Sequence, residues 1–158
     1  MKIRILCVGK MKEEFYRRKI NDEISKIRKH CDFEIIEVED EKTAENMSEI
    51  EINKVKQKEG ERLQKYLKGE PGEAVIALCI DGKMLSSEQW NQKLQNWVQE
   101  KEIRQITYII GGSLGLDAEI IKQAHYHLSV SRLTFPHNLM RVLLTEQIAD
   151  FVSEQGSR

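Results

Sequence analysis

Residues Ala74–Ile80 read AVIALCI, seven apolar residues without a polar break. A strand with one wet face alternates apolar and polar residues. An unbroken apolar run needs cover on both faces, as strands inside a parallel sheet have when helices pack above and below. The rest of the chain supplies the parts of such a sheet. Lys2–Val8 alternates into a strand that stops at Gly9, Phe33–Val38 is a second, Gln105–Ile110 is a buried strand, and Tyr126–Val130 is a short one. Between them lie helical patterns. From Met11 to about His30, Phe15, Ile20, Ile24 and Ile27 recur at helical spacing among charges. After the acidic loop Glu39–Asn46, Ser48 with Glu51 three residues on forms a capping box for a helix running to about Leu67. Gly69-Glu-Pro-Gly72 breaks the chain, and Asp81-Gly82 is expected to turn it. Ser86 or Ser87 caps a helix carrying Trp90, Leu94, Trp97 and Val98 on one side. Asp117–Ala124 is a short helix, and Pro136 starts the last one at a first-turn position. Strands alternating with helices make a single α/β domain over 1–158, with a largely parallel sheet.

Composition removes several classes. Apolar content of 40% and charged content of 32% are those of a soluble globular protein, and no apolar run approaches the roughly 18 residues of a membrane span. The first nine residues, MKIRILCVG, read as a strand and not as a signal peptide. Cys7, Cys31 and Cys79 are odd in number and far apart, in or beside apolar runs, so free thiols in a reducing compartment are expected. The net charge of −1 announces no nucleic-acid partner, but its distribution is uneven. Residues 1–30 hold ten Lys/Arg against four Asp/Glu, and residues 31–73 hold seven against thirteen. Such asymmetry makes either a local basic face or an ordinary solvated helix.

In an open α/β sheet, ligands bind outside the carboxyl ends of the strands. Three strand ends qualify: the end of Ala74–Ile80, the loop Gly111-Gly112-Ser113-Leu114-Gly115, and Ser129–Phe135. Missing Cβ atoms in the glycine loop let backbone N–H groups approach a ligand. The loop is neither GxGxxG nor a P-loop, and Ser113 in GGSLG is not a nucleophile elbow. On its own it reads equally as a tight turn. His125 and His127 lie two apart on a strand without an accompanying carboxylate or thiolate pattern, and no metal is expected. His137 follows Pro136 in the first helical turn, where a ring reaches either backbone or ligand.

The segments ILCVGK, EIIEVEDEKTAENMS, KEGERL, ALCIDGKMLSSE, IIGGSLGL and LSVSRLTFPHNLMRVLLTEQI occur in that order across residues 1 to about 148. In this combination the chain resembles the ribosomal large subunit methyltransferase H family, the small knotted SPOUT methyltransferases. The resemblance implies a mostly parallel sheet with helices on both faces and a deep C-terminal trefoil knot. It implies S-adenosylmethionine as methyl donor and N3 of a pseudouridine in large-subunit rRNA of the assembled ribosome as target, in the cytoplasm. Carried over, the cofactor contacts fall on Leu78, Gly111, Val130, Ser131, Arg132, Leu133, Thr134 and Phe135, which are the three strand ends already named. It also implies a homodimer formed through the knot, for which the apolar side of Leu139–Ile148 is available. His137 and Arg141, one helical turn apart, are the polar candidates for catalysis. As structural alternatives, His137 caps the helix and Arg141 pairs with an acid such as Glu146.

The tail departs from the family. Relatives continue with a Tyr-Arg-Ala-like stretch and end near Gly-Glu-Pro-Tyr-His-Lys, whereas this chain reads Ala149-Asp-Phe-Val-Ser-Glu-Gln-Gly-Ser-Arg158. Codons exist for that tail which, read one nucleotide earlier, spell Arg-Arg-Phe-Arg-Ile-Arg-Thr-Gly-Glu-Pro, so a frameshift near residue 148 is expected. Two readings follow: an rRNA methyltransferase slowed by its altered tail, or a non-catalytic ribosome- or RNA-binding SPOUT dimer.

Overall fold

The unbroken apolar run becomes an interior strand. The computed structural model describes residues 1–156, the side chain of His137 excepted. In chain order the elements are β1 (Lys2–Val8), α1 (Glu14–Ile27), β2 (Asp32–Val38), α2 (Glu49–Gln64), β3 (Glu73–Met84), α3 (Ser87–Glu100), β4 (Gln105–Ile110), α4 (Ala118–Gln123), β5 (Tyr126–Ser129) and α5 (His137–Gly156). The five strands form one sheet in the order β2-β1-β4-β3-β5, with every pairing parallel. This is the α/β architecture the alternation predicts.

Alternate residues of each strand feed two cores. Ile3, Ile5, Cys7, Ile76, Ile106, Tyr108 and Ile110 face Ile27 of α1, Trp90 and Leu94 of α3, and Leu144, Ile148, Phe151 and Val152 of α5. Leu6, Val8, Val75, Ala77 and Ile109 face Leu63 at the end of α2 and Ile120 of α4. The divergent tail is therefore not a loose end. Its first residues continue α5 as far as Gly156 and bury Ala149, Phe151 and Val152. After β5 at one edge of the sheet, the chain returns through α5 to pack Val142 with Met11 and Ile20 of the α1 region.

Both capping boxes form. Ser48 accepts from the Glu51 backbone ahead of α2, and Ser86, not Ser87, accepts from the Gln89 backbone ahead of α3. Three local expectations are corrected. Asp81-Gly82 does not turn the chain. β3 runs on to Met84 with an irregularity in its pairing, so that Leu78 and then Lys83 both register with Leu128. Gly82 is there for close approach, since a Cβ would lie 2.8 Å from the backbone carbonyl of His127. Phe15 is not on the buried stripe of α1; its ring is 65% exposed, and Tyr16 packs inward in its place. The helices also stop short of their apolar patterns, with α2 ending at Gln64 and turning through i+3 bonds at Tyr66 and Leu67.

Candidate active site

The carboxyl ends of β3, β4 and β5 open onto one cavity of about 590 Å³. Its walls are Leu78–Ile80 from β3, Ile110–Gly115 following β4, and Val130, Ser131 and Leu133–Pro136 following β5, with Met140 of α5. Seven of the eight proposed cofactor residues line it: Leu78, Gly111, Val130, Ser131, Leu133, Thr134 and Phe135. Arg132 is exposed and is not among the lining residues. The volume lies within the roughly 300–1,000 Å³ usual for small-molecule sites.

The walls are shaped by backbone. The Gly115 N–H donates to the Gly112 carbonyl at 3.1 Å and closes the glycine loop. Gly115 sits at φ +92° with open space where a Cβ would be, a conformation that favours glycine. Gly111 needs to be glycine because a Cβ there would stand 2.7 Å from the Gly115 carbonyl carbon. In the third wall, Ser131 Oγ accepts from the Leu133 N–H at 3.0 Å, and Ser129 Oγ donates to the Ser131 carbonyl at 3.1 Å. These serine bonds hold the loop in a turn before α5. The Pro136 carbonyl accepts the first helical bonds, from Leu139 and Met140.

Behind the glycine loop lies a second, more polar cavity of about 320 Å³, shared by Val8, Asp40–Thr43, Glu59, Gly112 and Ser113. Glu59 is 4% exposed. Its Oε2 accepts from the Glu41 N–H at 3.0 Å, while Oε1 is buried without a hydrogen-bond partner. Burial pushes its carboxyl above the usual range, and the neighbouring Asp40 carboxylate adds to the rise while the Glu41 N–H opposes it. A Cβ on Gly112 would lie 3.2 Å from Oε1, so the carboxylate is packed directly behind the loop. Cys79, at the cavity wall, has its thiol pushed up by burial, which disfavours a thiolate nucleophile.

Arg141 does not line the large cavity. It is 2% exposed, with Nη1 donating to Glu37 Oε2 at 2.6 Å and Nη2 to the Gly9 carbonyl at 3.1 Å, and Nε unpartnered. Its acid is therefore Glu37, at the end of β2, and not Glu146. The side chain of His137 lies outside the described residues; the helix it begins starts directly after the cavity residues Phe135 and Pro136. His125 and His127 hold backbone: the Val75 N–H donates to His125 Nδ1 at 2.9 Å, and His127 Nε2 lies 2.7 Å from the Ile121 carbonyl.

The family model described as "Predicted SPOUT methyltransferase" matches residues 1–150. The chain belongs to the SPOUT methyltransferase family. It is 43% identical over 148 residues to the Ribosomal RNA large subunit methyltransferase H of Bifidobacterium animalis subsp. lactis (strain AD011), covering 94% of this chain and 91% of that protein. Among solved structures, it resembles one described as "Probable Methyltransferase" from Bordetella pertussis Tohama I with a TM-score of 0.56 at 12% identity, covering 95% of each chain. It also resembles one described as "a probable methylase family protein" from Haemophilus influenzae Rd KW20, with a TM-score of 0.53 at 13% identity over 99% of this chain and 68% of that one. At such identities the two structures speak for the fold alone.

A SPOUT methyltransferase is an enzyme that draws on a methyl donor, and the three strand ends expected to contact it open onto one cavity. Sequence reasoning misses Glu59 and Glu37 as neighbours of this region. KEGERL matches no chemical motif, and nothing local ties Glu37 to a residue 104 positions away. The buried, half-satisfied carboxylate of Glu59 is a signal only the folded chain can give.

Proposed function

We propose that this chain binds S-adenosylmethionine in the cavity at the ends of β3, β4 and β5 and directs its methyl group to N3 of a pseudouridine in large-subunit rRNA on the assembled ribosome. The observation that carries the proposal is the convergence of Leu78, Gly111, Val130, Ser131 and Leu133–Phe135, residues of three strand ends far apart in sequence, on one cavity. The walls fit the donor. Leu78, Ile110, Leu128 and Phe135 offer apolar surface to a nucleobase, and the glycine and serine loops offer peptide groups to its polar parts. When bound, S-adenosylmethionine supplies a methyl group carried on a sulfonium.

The chain's own task is then positioning and proton removal. Methyl transfer is an in-line displacement, so holding donor and base in line supplies much of the acceleration. The target nitrogen carries a proton that must leave, and His137, at the start of α5, is proposed to accept it. Arg141, proposed alongside it, is a positioning residue in this reading. Its bonds to Glu37 and Gly9 fix the first turns of α5 against the ends of β1 and β2.

The family's trefoil knot and homodimer are part of the proposal. The return of the chain from β5 to α5 beside α1 supports the former. The latter is supported by apolar side chains left exposed around the cavity mouth, Ile80, Val130 and Leu133, the last 72% exposed. The family ending with its Tyr-His pair is absent from Ala149–Arg158, which favours the second reading, a ribosome- or RNA-binding dimer without turnover.

The test is methyl transfer from labelled S-adenosylmethionine to pseudouridine-containing 70S ribosomes, with the site mapped by mass spectrometry. The 158-residue chain is run beside one with the family ending restored after Ile148. Label at N3 from the restored chain, and slower label from the chain as it stands, is the expected result. Donor binding with no label from either chain selects the non-catalytic reading, and no donor binding by either refutes the proposal.

A further inference from the structure

The first turn of α1 carries an aromatic ring that the fold does not use. Helix α1 buries Ile20, Glu23 and Ile27 on one stripe. Tyr16 joins that side, packing toward Met11, Ile20 and Val142. Phe15 points the other way, 65% exposed, and among the described residues its one ring neighbour is Tyr16 at 4.2 Å between centroids. A phenylalanine so exposed costs hydration and adds nothing to the core.

Its surroundings are basic. Arg18 and Lys19, three and four residues on, share its helix face, and Lys10 and Lys12 precede it; all four are exposed. Lys10 and Lys12 have no acidic partner among the described residues. The two acids within the segment are occupied. Glu13 accepts from Asn138 Nδ2 at 3.0 Å, and Glu14 lies 3.8 Å from Arg18. The Glu13–Asn138 bond also fixes the place of this patch, because Asn138 is in the first turn of α5, directly after the cavity wall. The Gly9 carbonyl, held by Arg141, ties down the other end of the same loop.

Lys19 is held by Glu23 at 3.2 Å and Arg18 only loosely by Glu14, both at the exposed surface, which leaves Lys10 and Lys12 as the unpaired cations beside the ring. An exposed ring flanked by cations is the arrangement that binds unpaired nucleotides: the ring takes a base face and the cations take phosphates. We infer that Phe15 is a stacking platform for an unpaired rRNA base, with Lys10, Lys12 and Arg18 holding the adjacent phosphates. This rests on the rRNA reading above and adds to it the surface that engages the substrate. The charge of the patch selects RNA over a second copy of the chain, whose net charge is near zero.

The test is binding of the labelled chain to 70S ribosomes at two salt concentrations, with S-adenosylmethionine calorimetry and sedimentation on every variant. Phe15→Ala and Phe15→Leu are expected to weaken ribosome binding about tenfold, the scale of one base–aromatic stack, and Phe15→Trp to restore it. The double variant Lys12→Ala/Arg18→Ala is expected to lower the salt slope by about one for each phosphate no longer neutralised. Donor affinity and oligomeric mass should not move. Unchanged ribosome binding by Phe15→Ala, against tight wild-type binding, overturns this inference alone. A change of mass in Phe15→Ala makes the ring part of a subunit interface and overturns it too. Wild-type chain that binds the donor but no ribosomes sinks the rRNA reading together with it.

Discussion

The two ends of the same strands treat a buried carboxylate in opposite ways. At the amino ends, Glu73 Oε2 accepts from Arg4 Nη2 at 3.1 Å, Gln105 Nε2 at 2.8 Å and Thr107 Oγ1 at 2.6 Å. Arg4 completes the knit by donating to Thr107 Oγ1 and to the Tyr66 carbonyl. At the carboxyl ends, Glu59 has one oxygen with a single N–H and another with no partner among the described residues, and the chain around it is the polar loop Asp40–Thr43 and the glycine loop at Gly112 and Ser113. One end is closed around its charge and holds the sheet together. The other leaves a buried carboxylate oxygen without a partner among the described residues beside two open cavities.

This contrast can be broken experimentally, and the largest effect belongs to the closed end. Glu73→Leu removes the carboxylate and strands the Arg4 guanidinium, so chemical denaturation should show a loss of about 3 kcal/mol. Donor affinity measured on the same folded variant should be unchanged; a large affinity loss would mean that the two ends are not separate.

A smaller effect is expected at Glu59. Its folded-state pKa is raised, so the folded chain holds the proton more tightly than the unfolded chain does. The stability associated with the neutral form is present below the unfolded carboxylate pKa and is lost as pH rises through the raised one. Glu59→Gln should therefore flatten the rise in Tm seen on acidifying through that window and be the more stable chain above it. Parallel Tm–pH curves for the two proteins would show that the carboxylate is satisfied after all.

The smallest effect is at the rim of the closed end, where Lys2 and Glu34 meet at 3.0 Å with both side chains more than 40% exposed. Lys2→Ala should cost under about 1 kcal/mol, and less in high salt. A cost equal to that of Glu73→Leu would remove the distinction between knit and rim.

Much of this is legible in the sequence where the signal is local. Gln105–Ile110 is bounded in the structure as the pattern predicts, and Ser48 with Glu51 caps α2 as the spacing predicts. The cavity lining is legible as three loops because strand ends in a parallel sheet share one side. What fails is decided by distant neighbours. Gly82 reads as a turn until β5 lies against it. Phe15 and Tyr16 are adjacent, and the apolar period alone does not say which of them α5 will cover. Nearness in sequence suggests Glu146 as a partner for Arg141, but the fold delivers Glu37 from β2. The closed network at Glu73 joins residues 4, 66, 73, 105 and 107, a spacing no motif describes.

The central claim is that the open end holds S-adenosylmethionine against the glycine loop. Gly111→Val tests it most directly, because a side chain there meets the backbone of Gly115 and Leu116 below 3.0 Å and forces the wall to move. Calorimetric titration of S-adenosylmethionine should give one site per chain in the wild type and at least a tenfold weaker one in the variant, about 1.4 kcal/mol, with both proteins folded by circular dichroism. Equal affinity in the two, or no binding heat in the wild type, would contradict the account.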